Sequence, residues 1–287
     1  MLAIYRKELK SYFTSMIGYV FIAFFLAIIG LFFYLQNLLG QNPRFETTLT
    51  GITFIFVLLT PIITMRLMAE ENKQKTDQLL YTSPLTAGAI VIGKFLAVFS
   101  LYLVVIAIIC LYPIILTQFG EIALAPAYSS IFGFSMLGGA YLAIGLFISS
   151  LTESQVVAAV ISFLTFLFTL FMDDIAGFVP ADNKTSLIAY TIILLMICII
   201  LYLMMHNLVV SISTGVIIEA LMLTVYFIKP ILFDGLVSKV VGWLSMLNRY
   251  YSFYLGILDL SAIVYYLSIM FIFLYFTVQV IKKKRWS

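Results

Sequence analysis

Charge is scarce in this sequence. Of 287 residues only 10% are Asp, Glu, Lys or Arg, against 63% hydrophobic residues and a mean hydropathy of +1.14. That balance lies outside the range of soluble domains. Histidine occurs once, at His206, and cysteine twice, at Cys110 and Cys198, both inside apolar runs. A disulfide framework or a Cys/His metal centre has too few ligands here, and the two cysteines read as small hydrophobes. His206 stands beside Asn207 at the expected end of an apolar segment, with no carboxylate cluster near it in sequence, and reads as a boundary residue. The chain also lacks a Gly-x-x-x-x-Gly-Lys-Ser/Thr stretch, the loop whose backbone amides cradle nucleotide phosphates. Any ATP hydrolysis in which it takes part has to occur on another chain.

What the sequence does have is length in its apolar runs. Residues 17–36 contain no charge, and 128–152 and 262–281 are similar, each long enough to cross about 30 Å of hydrocarbon as a helix. Closed β-barrels require polar alternation, which these runs do not show. The chain therefore reads as an all-α polytopic membrane protein. Candidate spans fall near 17–36, 50–68, 90–117, 129–151, 155–172, 187–205, 208–228 and 262–281, eight transmembrane helices in all. The first run is too long for a signal-peptide core and no small-residue cleavage pattern follows it, so it reads as a retained span.

An even number of spans places both termini on one side. That side carries eleven of the sixteen Lys and Arg residues, including Arg6, Lys7, Lys10, Arg66, Lys94 and the closing run from Lys282 to Arg285, whereas the other carries five. The positive-inside rule makes the charge-rich side, with both termini, cytoplasmic.

On that side lies a polar island, Arg66-Leu67-Met68-Ala69-Glu70-Glu71-Asn72-Lys73-Gln74-Lys75-Thr76-Asp77, with six of the 29 charged residues in twelve positions. Glu71 and Lys75 form an i,i+4 pair in the favourable order. Leu79 and Leu80 follow, and Pro84 disfavours helix at Ser83, so a short helix should end there and a new one begin near Thr86. Ahead of the first span, residues 1–16 carry Leu2, Tyr5, Leu9, Tyr12, Phe13 and Met16 at three- and four-residue steps, with Arg6, Lys7 and Lys10 between them. This predicts an amphipathic helix along the inner membrane surface. Helical spacing returns at 231–258, with Trp243, Tyr250, Tyr251, Phe253 and Tyr254 as an aromatic belt, and predicts one or two short helices at the outer surface.

Three intramembrane features invite a role. Ser135, Gly139 and Ala143, with Gly138, Gly145 and Ser149 on a neighbouring stripe, permit close helix contact either within one bundle or between copies. Asp173-Asp174 lacks the further oxygen ligands that a hard-metal site needs and reads as solvated. Glu219, midway along an apolar segment, costs on the order of 3 kcal/mol if unpaired. It reads as a proton- or ion-coupling residue, as a structural hydrogen-bonding group, or as the mark of a misplaced span.

The order of several short elements resembles a known family. Pro61-Ile62-Ile63-Thr64-Met65-Arg66, Glu70-Glu71, Thr76, Leu79-Leu80, Thr82-Ser83-Pro84 and Gly93-Lys94 resemble the signature of type-2 ABC transporter permeases, in particular the branch named after gliding motility. Tyr5-Arg6-Lys7-Glu8-Leu9 near the start, and Gly256-Ile257-Leu258-Asp259-Leu260, Tyr265-Tyr266-Leu267-Ser268 and Arg285-Trp286 near the end, are similar to the same branch. The resemblance implies a permease without a nucleotide site of its own, six spans, a second permease copy or paralogue, and an ATP-binding-cassette ATPase that holds ATP and Mg. It further implies a multi-pass location in the bacterial cytoplasmic membrane. Arg6, Lys7, Glu8, Glu70, Glu71, Thr76, Leu79, Leu80 and Ser83 would then contact the ATPase, with a coupling helix at 76–83 inside the loop 66–89. Residues 187–228 depart from the pattern as an inserted two-span hairpin, which leaves Glu219 without a family role. An ion-coupled secondary transporter using Glu219, or a membrane scaffold without transport, remain as alternative readings.

Overall fold

The computed structural model describes residues 1–76, 85–178 and 235–286, with scattered positions between 187 and 228. The sixth and seventh expected spans, the tip of the polar island with Leu79, Leu80 and Ser83, and the residues His206 and Cys198 lie outside the described residues. Those described are helical throughout, joined by short turns, and contain no strand. Five helices are long and apolar enough to cross a membrane: 16–39, 45–74, 87–116, 124–151 and 260–285. A sixth results if Gln155–Leu170 and Met172–Phe178 form one broken span. Four of the expected spans and the last coincide with these within a few residues.

The described residues form two units, 1–168 with 249–287, and 169–248. In the first unit α1 (Leu2–Thr14) ends at Ser15, whose extended backbone breaks the helix before α2 (Met16–Phe32) begins. The turn is tight enough that a Cβ on Gly18 would overlap the Tyr12 carbonyl, so glycine is required there. A π-helical turn, Phe33–Leu39, prolongs α2. The loop after it is held by Asn37, which donates to the carbonyls of Asn42 and Arg44 and accepts from Thr48.

The chain returns as α3 (Phe45–Thr64) and α4 (Arg66–Gln74), separated at Met65 four residues after Pro61. Thr86 caps α5 (Ala87–Ile109), its Oγ1 accepting from the Ala89 amide, where the sequence placed a helix start. A short α6 (Leu111–Leu116) leads to α7 (Leu124–Leu151), the central helix, whose neighbours are α3, α4, α5 and the final α12 (Leu260–Trp286). α8 (Gln155–Leu170) contributes Phe166, which packs on Tyr141 of α7.

The small residues of α7 are filled from within this unit. Added Cβ atoms would meet Tyr102 at Gly138, Met270 at Gly139, Thr64 at Gly145 and Phe253 at Gly133. Of the two readings of that stripe, packing inside one bundle accounts for it. An aromatic cluster of Phe25, Phe56, Tyr102, Phe134 and Tyr141 completes the core, and the Tyr102 hydroxyl donates to the Phe134 carbonyl.

In the second unit α9 (Met172–Phe178) packs on α10 (Leu236–Leu244), and Ser238 donates to the Ala176 carbonyl. Asp173, expected to be simply solvated, accepts a 2.7 Å bond from Ser245. α11 (Met246–Tyr254) follows, so the region 231–258 does contain two short helices.

Candidate functional site

The first helix buries much of the face its sequence suggested, with Tyr12 buried and Tyr5, Leu9 and Phe13 half-buried, but widens it to take in Ile4 and Glu8. Leu2 and Met16 are exposed, whereas Ile4, Glu8 and Tyr12 turn inward, with Ile4 against the backbone of α5 at Gly93. Tyr5 adds a 3.1 Å hydroxyl contact to Ser100 of α5. The reason lies in α5, which presents a buried cation to this face. Lys94 is 1% exposed, yet its ammonium has three partners: Glu8 Oε1 at 3.1 Å, Glu71 Oε2 at 2.9 Å and the Leu67 carbonyl at 2.8 Å. It donates hydrogen bonds to Glu8 and to the Leu67 carbonyl and forms an ion pair with Glu71. One side chain thereby ties together α1, α4 and α5.

Two corrections to the sequence reading follow. Glu71 was expected to pair with Lys75, but Lys75 adopts a left-handed conformation that ends α4, and Glu71 reaches Lys94 and, at 3.5 Å, Lys7. Lys94 was counted among the surface cations that orient the chain, and it is buried instead. The two neighbouring carboxylates of the island also separate. Glu70 is held on its own helix by a bidentate pair with Arg66, both bonds 2.8 Å, while Glu71 points to the buried lysine.

The remaining predicted residues sit around this cluster. Lys7 is the exposed member, 64% accessible, and its pairs with Glu71 and Glu8 are longer, at 3.5 and 3.8 Å. Arg6 is exposed on the outer face of α1, and Thr76 is exposed at the end of the described island, its amide donating to the Glu71 carbonyl. Tyr12 lies beneath the cluster; burial pushes its phenol well above the usual value, with the Glu8 charge adding to the shift and Arg66 opposing it, so it stays neutral.

The polar island is helical from its first residue, where the sequence suggested a loop. Met65, at the N-cap of α4, offers no side-chain cap. The cap comes from Ser149 of α7, whose hydroxyl accepts from the amides of Met68 and Ala69 at 3.1 and 3.0 Å and donates to the Met65 carbonyl at 3.0 Å. The Met68 amide is an orphan donor of the helix's first turn, satisfied here from another helix. The end of α7 is gathered into the same place: Lys284 donates to the Ser150 carbonyl and Asn72 to that of Thr152. Arg285 reaches the Leu85 carbonyl at 3.3 Å. Ser149→Ala should leave the buried Met68 amide without a partner, at a cost of about 1–3 kcal/mol. Faster hydrogen exchange at Met68, with α7 amides unchanged, is the expected readout.

Glu219 stands in the second unit. Thr191 Oγ1 donates to its Oε1 at 3.0 Å, and Oε2 is buried without a hydrogen-bond partner among the described residues. This contact favours the structural hydrogen-bonding role. Among the described residues no three His, Cys, Asp or Glu side chains gather as a metal site.

The cluster is therefore a joint between helices, and its groups are all engaged with one another. Of the residues that form it, Lys94 was not singled out from the sequence as a site residue. The available signal was a lone cation eight positions into an apolar helix.

Comparison with known proteins agrees with this picture. No match was found among curated proteins or among solved structures. Residues 38–180, just under half the chain, match the family model described as ABC-2 family transporter protein. The matched stretch contains α4, Lys94 and Ser149, and it supports placing this chain in the type-2 ABC transporter permease family.

Proposed function

We propose that this chain is the permease subunit of an ATP-binding-cassette transporter of the bacterial cytoplasmic membrane. It moves substrate with energy from ATP hydrolysed, with Mg, on a separate ATPase chain, and works beside a second permease copy or paralogue. The observation that carries the reading is the Lys94 joint. A partner pressing on residues 76–83 or on the exposed Arg6 and Lys7 moves α4 or α1, and neither can shift against α5 without stranding a buried charge. Such a joint transmits displacement instead of absorbing it, as a transition between two discrete states requires. Glu8 and Glu71 then serve as internal ties, while Arg6, Lys7, Thr76, Leu79, Leu80 and Ser83 face the ATPase.

The test uses the chain co-purified with its ATPase and placed in lipid nanodiscs. Glu8→Gln combined with Glu71→Gln should leave the complex assembled but reduce permease-dependent ATP hydrolysis about tenfold, the equivalent of one charged hydrogen bond lost from the joint. Leu79→Ala with Leu80→Ala should instead weaken assembly. Unchanged coupling in the first variant removes the joint from the mechanism, and failure to assemble with any ATPase removes the permease reading.

A further inference from the structure

Two clefts meet where α1 turns into α2. One, of about 470 Å³, is charged, with Lys7, Arg66 and Lys94 set against Glu8, Glu70 and Glu71 in its lining. The other, of about 430 Å³, runs between α2 and α3 and is lined by Val20, Phe21, Phe24, Leu59, Ile62 and Ile63, with almost no polar surface. Ile17 lines both. Each falls within the size range of small-molecule sites, about 300–1,000 Å³. A charged cleft and an apolar groove that share Ile17 as a wall are matched by a molecule with a charged head and a hydrocarbon tail.

The sign of the head follows from which charges are already spoken for. Lys94 is 1% exposed and already has three partners. Glu8 and Glu71 are bound by that lysine, and Glu70 is held in two bonds by Arg66. Arg66 uses Nε and Nη2 in that pair, so Nη1 is uncommitted among the described residues. Lys7 is largely exposed and has the longest ion pairs of the group. Among the cations of the cleft, Lys7 and Arg66 thus keep donors able to take a new partner, and a phosphate suits them.

We propose that these joined clefts bind one anionic phospholipid, its phosphate held by Lys7 and Arg66 and an acyl chain lying in the α2–α3 groove. The site requires only that the chain sits in a membrane, and it stands or falls independently of the ATPase partnership. A lipid held there touches the same α1–α4 contact that Lys94 secures, so headgroup chemistry reaches the joint directly.

The full-length chain is titrated in detergent with phosphatidylglycerol or with phosphatidylcholine of the same acyl chains, and bound lipid is counted by native mass spectrometry. One phosphatidylglycerol should be retained about tenfold more strongly than phosphatidylcholine, as expected for one charge-assisted hydrogen bond. Lys7→Gln with Arg66→Gln should abolish that preference, and Lys7→Gln alone, an exposed change that leaves folding intact, should reduce it. Val20→Trp, which fills the apolar chamber, should lower retention of both lipids. Lys10→Gln, on α1 but outside the cleft, should change nothing. The proposal fails if the preference survives the double substitution, if Lys10→Gln erases it equally, which means diffuse surface attraction, or if millimolar inorganic phosphate displaces the lipid, which means a headgroup site without the groove.

Discussion

Replacing Lys94 with methionine is expected to lower the stability of the protein by about 3–5 kcal/mol, the usual cost of removing one partner from a buried ion pair. The size follows from what is left behind. Glu8 and Glu71 are only 14% and 15% accessible, and without the lysine the two carboxylates keep only the exposed Lys7 ammonium, at 3.8 and 3.5 Å, as a counter-charge. The Leu67 carbonyl loses a donor as well. Thermal unfolding in detergent, followed by intrinsic fluorescence, reads the loss. The triple change Lys94→Met, Glu8→Gln and Glu71→Gln should recover most of it, because neutral side chains no longer repel and need less hydration. If the triple variant is no more stable than Lys94→Met alone, electrostatics is not what holds α1, α4 and α5 together.

The second large effect is steric. A methyl group on Gly145 would lie 2.4–2.8 Å from three atoms of Thr64, including its Cβ, which cannot swing aside. Helices α3 and α7 must then separate or bend, and overpacking of this kind costs about 1–3 kcal/mol. Gly145→Ala should therefore unfold at a lower temperature and yield less folded protein from membranes. Gly88→Ala is the matched control, since nothing lies within 4 Å of a Cβ there, and a helical alanine is favoured over glycine by up to about 1 kcal/mol. Equal behaviour of the two variants would mean that the α3–α7 contact tolerates separation.

Five of the eight expected spans were legible because their signal is local: twenty apolar residues in a row need no knowledge of the rest of the chain. Thr86 as a helix start, and the two short helices near Trp243, were legible for the same reason. The faces of the helices were not. Apolar on all sides, α5 and α7 have no polar stripe to reveal which side meets protein, so their contacts emerge only from packing. In α1 the apolar spacing pointed correctly to Tyr12 but also to Leu2 and Met16, and it missed Glu8, which turns inward because a charged residue can be buried when a partner waits for it. That partner, Lys94, is 86 positions away. The local rule that pairs Glu71 with Lys75 failed on the same ground: a buried ammonium is a stronger claim on a carboxylate than an exposed one four residues along. The small-residue stripe was readable as close contact, but whether it faced its own bundle was settled by Thr64, Tyr102 and Met270.

The hydroxyl that starts α4 sets an order of events during synthesis. Ser149 lies 81 residues beyond the Met68 amide that it accepts from. While the ribosome is still making α5 and α6, the island has left the membrane-spanning part of α3 without the group that fixes its first turn. The Met68 amide meets its acceptor only once the last turn of α7 is present. The start of α4 and the end of α7 are thus fixed together, and a chain cut before residue 149 keeps α3 but leaves the Met68 amide without its acceptor.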